Sequence, residues 1–144
     1  MPASRSANFA ALYALIRAAS DLGDHWVQSD TQARTKGQPD NEGRRACALH
    51  VATYTATQAV TVAAGSRLLG IRITPGRAVA AIGLSAVTHY IADRRIPVKR
   101  LAEAVGVGNF YQLGGPLGGA YLLDQALHHG AETAAAAILA TSTK

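Results

Sequence analysis

A chain of 144 residues is one domain by size, residues 1–144, with room for a core of about three to five helices but not for two cores of ordinary volume. The lone cysteine, Cys47, excludes an intramolecular disulfide and a cysteine-based zinc site, so any metal must take nitrogen and oxygen ligands. A net charge of +5 and a pI near 9.8 suit nucleic acid, anionic lipid headgroups or a phosphorylated substrate, and charge alone does not choose among them.

The N-terminus carries a short apolar run. Arg17 interrupts it and no cleavage site follows, so it reads as the start of a helix rather than a signal peptide. Apolar spacing predicts a first helix from about Asn8 to Gln32, with Phe9, Leu12, Tyr13, Ile16 and Leu22 on its buried face. At 100° per residue, Arg17, Asp21, Asp24, His25 and Gln28 would then share one polar arc. The stretch from Thr35 to Arg45, dense in Gly, Pro, Asn and charge, reads as a solvated loop.

A second helix is expected from Ala46 to Leu69, its polar residues His50, Thr53, Tyr54, Thr57 and Thr61 forming one stripe. Thr74 followed by Pro75 is a helix start, and the third helix should run to about Arg95, where Ile96-Pro97 stops it. Val98 to Gly106 reads as a short amphipathic helix. A glycine-rich linker follows, lacking the Gly-Lys-Ser/Thr of a phosphate loop, and the last helix is placed from Pro116 to about Thr141. The fold class is therefore all-α, about four long helices in a bundle plus a short amphipathic one.

The four long segments have the length of bilayer spans, although Ala, Gly, Thr and the ionisable residues dilute them and the mean hydropathy is only +0.08. Polar residues inside otherwise uncharged segments commonly face a bundle interior and carry function. On that ground the chain is expected to be a multi-pass protein of the bacterial cytoplasmic membrane in contact with lipids, a soluble cytoplasmic protein being the alternative. No basic recognition helix marks a nucleic-acid site.

All five histidines fall within these helices, and the spacing of their acidic neighbours is the most informative feature of the chain. His89 and Asp93 stand four apart, as do Asp124 and His128, so each pair lies on one helical face. Facing carboxylates and imidazoles are how helical bundles hold metals. His50, His89, Asp93, Asp124 and His128 are accordingly the expected ligands of a divalent ion, with Zn, Mn, Fe or Ni suited to the donor set. Asp24 or Asp124 would serve as catalytic base. Arg17, His25, Gln28, Tyr54, Arg94 and Gln125 would stand behind the ligands or meet a substrate.

The motifs D-H-W-V-Q-S-D, A-L-H-V, T-H-Y-I-A-D-R-R and Y-L-L-D-Q-A-L-H-H together resemble, from about Leu12 to Ala137, a bacterial family of small, mostly predicted-membrane helical proteins described only as a domain of unknown function. The resemblance implies a shared polar site at Asp24, Gln28, His50, His89, Asp93, Asp124, Gln125 and His128, and a membrane setting. It implies no reaction. From the site type, metal-dependent hydrolysis is the expected chemistry, against a non-enzymatic membrane accessory protein whose polar core is structural and, third, a soluble basic nucleic-acid-binding regulator.

Overall fold

The computed structural model describes residues 4–115 and 117–141. Helix α1 spans Arg5–Leu22, α2 Asp30–Thr35, α3 Asn41–Leu68, α4 Pro75–Asp93, α5 Ile96–Ala104, α6 Gly108–Tyr111 and α7 Gly119–Ala140, and no strand occurs among the described residues. The expected start of the last helix, Pro116, lies outside them.

Local chemistry sets most of these boundaries. Ser4 and Asp40 cap α1 and α3 by accepting from the backbone amides of Ala7 and Gly43. Pro75 occupies the first turn of α4, as the sequence leads one to expect. The first helix departs from expectation. It ends as a π-helical turn, Gly23–Val27, after which Gln28 is extended and Ser29 opens α2 with a capping box to Gln32. The wider turn breaks the 100° register, so the predicted polar arc does not persist: Asp24 turns inward while Arg17 and Asp21 pair elsewhere. Gly23 permits this, because a Cβ there would lie 2.8 Å from the Tyr54 ring.

The four long helices form a ring. α1 packs on α3 and α7, and α4 packs on the same two. Along this bundle the interior changes character. Leu12, Ile16, Val62, Ala81, Ala135, Ala136, Leu139 and Ala140 make an apolar core at one end, built from the middle of α1, the last third of α3, the first half of α4 and the end of α7. The opposite end collects His50, His89, Asp93 and His128, all buried. Between them lies a polar layer in which the Ser20 and Tyr54 hydroxyls are 2.7 Å apart and the Gln58 amide donates to both.

No helix among the described residues is long and apolar enough to cross a membrane. The expected membrane embedding thus lacks its spans. The physical reason is the dilution visible in the sequence: His, Asp, Gln and Thr occupy positions that a lipid-spanning helix fills with Leu, Ile or Val.

Candidate metal centre

Three elements of the ring and the π-helical turn each contribute to the polar end. α3 carries His50 in its third turn, α4 carries His89 and Asp93 in its last two, α7 carries Asp124 and His128 in its first three, and the π-helical turn carries Asp24. The predicted faces therefore do converge.

The convergence is tight. The Nε2 atoms of His50 and His89 are 2.9 Å apart. Asp24 Oδ1 lies 3.1 Å from the first and 3.3 Å from the second, and Asp93 Oδ2 lies 3.2 Å from each. Ligand atoms around a tetrahedral ion with bonds of about 2.0–2.1 Å stand about 3.3–3.4 Å apart, and neighbouring atoms around an octahedral one about 2.9–3.0 Å. The five observed distances span those two values.

His128 continues the cluster, its Nε2 3.3 Å from Asp124 Oδ2 and 4.0 Å from Asp93 Oδ1. Two further sets, Asp24-His89-His128 and Asp93-Asp124-His128, also bring three donor atoms within 4.8 Å of one another. Buried polar atoms are normally hydrogen-bonded. Here Asp93 Oδ2 and His128 Nε2 are buried without a well-aligned hydrogen bond, although imidazole or carboxylate atoms stand 3.2–3.3 Å away. The His50 and His89 Nδ1 atoms also lack partners, so these rings are held through Nε2 and by packing. Tyr54 stacks on His89 with centroids 3.7 Å apart, and His89 stacks on His128 at 4.2 Å.

Electrostatics follow the geometry. Burial would lower the His89 pKa, yet hydrogen bonding to Asp24 and Asp93 lifts it to about 9. Burial would raise Asp24 and Asp93, and hydrogen bonding to His50 and His89 instead holds both below the ordinary carboxylate range. Lys36 adds to this, its Nζ 2.8 Å from Asp93 Oδ1.

A cleft of about 540 Å³ opens onto the centre, lined by Asp24, Asp93 and Asp124 and by Gln28, Lys36 and Arg95 among others. His25 and Gln125 also line it, and His25 lies 3.3 Å from the Tyr121 hydroxyl. Arg17 and Arg94 do not belong to this wall. Arg17 pairs with Glu132 and Asp21. Arg94 donates to the Lys36 carbonyl at 2.7 Å and to the Gln38 carbonyl, pinning the α2–α3 loop to the end of α4. That pin seats Lys36 over Asp93. Sequence reasoning missed Lys36, since nothing in T-K-G-Q-P-D distinguishes it from a solvated loop lysine. It reads the adjacent Arg94 and Arg95 together as a grip for an anionic substrate and singles out Arg94, whereas Arg95 is the one that lines the cleft.

No protein-family model, no curated protein and no solved structure matches this chain.

Proposed function

We propose that the chain is a metal-dependent hydrolase whose divalent ion is held by His50, His89, Asp24 and Asp93. The observation that carries this reading is the set of five distances from 2.9 to 3.3 Å that link the two imidazole Nε2 atoms to each other and to one oxygen of each carboxylate, with Asp93 Oδ2 buried. Two nitrogens and two oxygens suit Zn, Mn, Fe or Ni. The set formed by Asp93, Asp124 and His128 is the weaker place for an ion, because the Lys36 ammonium already neutralises Asp93 Oδ1.

A divalent ion held by these four side chains would supply Lewis-acid chemistry, activating water and polarising a phosphoryl or acyl oxygen. Asp124, on the cleft wall and backed by His128, is placed to accept the proton. In such a hydrolysis the water oxygen would bond to phosphorus or the acyl carbon as the ester bond breaks, and the proton taken up by Asp124 would pass to the departing oxygen.

A second reading, a polar core that holds the helices in register, is favoured by the Ser20, Tyr54, Gln58 layer and the Arg17–Glu132 pair, which are bonded without any ion. Elemental analysis separates the two. Near-stoichiometric metal in the purified protein, lost in the His89→Ala, His128→Ala double variant with helicity retained, supports the metal reading. Metal absent from both, after incubation with zinc or manganese, overturns it and favours the structural core.

A further inference from the structure

The residue after Arg94 has the least favourable backbone in the described chain. Arg95 adopts φ 60° and ψ −43°, and it is the one residue other than glycine with positive φ among the described residues. The Ile96 amide donates to the Arg94 carbonyl at 2.6 Å, so Arg95 is the centre of a γ-turn of the rarer, strained hand. Such strain persists where surrounding structure enforces it, and it gathers at binding sites.

What the turn accomplishes is visible in the side chain. Arg94 faces the α2–α3 loop and donates to two of its carbonyls, whereas Arg95 is thrown to the other side and lines the cleft. Its stem passes over Gly37, where a Cβ would stand 2.5 Å from Arg95 Cδ. Among the described residues, one weak bond of 3.5 Å to the Ala33 carbonyl is the guanidinium's hydrogen bond to protein. Most of its planar donor fork is thus left for a ligand.

The cleft's charge selects the ligand. Asp24, Asp93 and Asp124 contribute three negative charges, while Lys36, Arg95 and a dication contribute four positive ones, imidazoles left uncounted. The floor is net positive when the ion is present. Gln28 presents there a buried, unbonded Oε1, an acceptor for a ligand hydroxyl. The outer wall, with Tyr111, Leu113 and Tyr121, is apolar and aromatic.

From this arrangement we infer that the substrate is an organic phosphate ester, its phosphoryl group gripped by Arg95 beside the centre and its organic part packed on Tyr111, Leu113 and Tyr121. The inference rests on the metal reading and deepens it. Arg95 is the residue that distinguishes a phosphate ester from a neutral acyl ester, since a planar fork suits a tetrahedral oxyanion.

The test uses the full chain, loaded with zinc and desalted, with inorganic phosphate as the probe in isothermal titration calorimetry. Wild type, Arg95→Gln and Arg95→Gly are compared, with metal content read on every sample. Expected is phosphate binding by wild type that weakens about tenfold or more in both variants at unchanged metal content, the scale of a charge-assisted contact. Arg95→Gly should also keep or raise the melting temperature, because glycine accepts positive φ without strain. Metal retained with phosphate affinity absent or indifferent to Arg95 overturns the inference and leaves the metal reading standing. Absence of metal from the wild type overturns both.

Discussion

His50 and His89 bring their Nε2 atoms to within 2.9 Å of each other at the buried end of the bundle. Two imidazole nitrogens at that distance repel through their lone pairs unless a proton or a cation lies between them. Asp24 Oδ1 and Asp93 Oδ2 each lie 3.1–3.3 Å from both nitrogens. Replacing either histidine with alanine should therefore weaken zinc binding by more than about a hundredfold, beyond the 10–100-fold typical of residues behind a ligand. Competition against a chromophoric chelator measures this. Affinity within threefold of wild type in both variants would remove these histidines from the ligand set.

The metal-free protein should have a stability optimum on the acid side of neutrality. The folded state binds the His89 proton more tightly than the unfolded chain, with a pKa of about 9 against 6.5. That contribution is complete below about pH 6.5 and is lost as pH rises through 9. Asp24 and Asp93 act in the opposite sense: held below their ordinary 3.8, they stabilise above that pH and fail as the solution is acidified further. The melting temperature in chelator should peak between about pH 4 and 6.5 and fall on both sides. Metal ligation needs neutral imidazoles, so added zinc should move the optimum upward. A chelator-treated protein that gains stability steadily from pH 6.5 to 9 would contradict this assignment.

Arg17 and Glu132 should be unequal partners. Arg17 Nη1 lies 3.0 Å from both Glu132 oxygens, yet the glutamate side chain is 1% exposed and the arginine 25%. Arg17→Met leaves a buried carboxylate with no counter-ion and should cost about 3–5 kcal/mol. Glu132→Gln leaves an arginine that keeps Asp21 and reaches water, and should cost about 1 kcal/mol. Urea unfolding of both variants measures the difference. Equal costs would mean that Arg17 supports the bundle through its packing rather than its charge.

Gly37 should act through Arg95. A methyl group there would meet Arg95 Cδ at 2.5 Å and Nε at 2.7 Å, atoms of a side chain free to swing away. Gly37→Ala is therefore expected to shift the melting temperature by less than about 2 °C, as surface changes do, while reducing phosphate affinity as far as Arg95→Gln does. Wild-type phosphate affinity in Gly37→Ala would show that the path of Arg95 over Gly37 is immaterial to binding.

What the sequence by itself determined was the helical periodicity and the chemistry on each face. The four-residue steps of His89 to Asp93 and Asp124 to His128, with His50 on a polar stripe, depend on regular helix geometry and so could be read locally; the structure brings all of them together. The helix start at Pro75 was equally local, whereas α3 begins at Asn41, five residues before the Ala46 that apolar spacing marks, because Asp40 caps a first turn inside the stretch expected to be a loop. Tertiary structure decided the rest. The π-helical turn at Gly23–Val27 admits a residue that no periodic pattern registers, and by doing so it separates Asp24 from Arg17 and Asp21. Whether Arg94 or Arg95 faces the cleft depends on a γ-turn held by contacts to a loop more than 50 residues earlier. Lys36 belongs to the centre for the same reason. Such choices rest on contacts between segments distant along the chain, which hydrophobic spacing does not encode, whereas the helices that carry the histidines repeat a signal every turn.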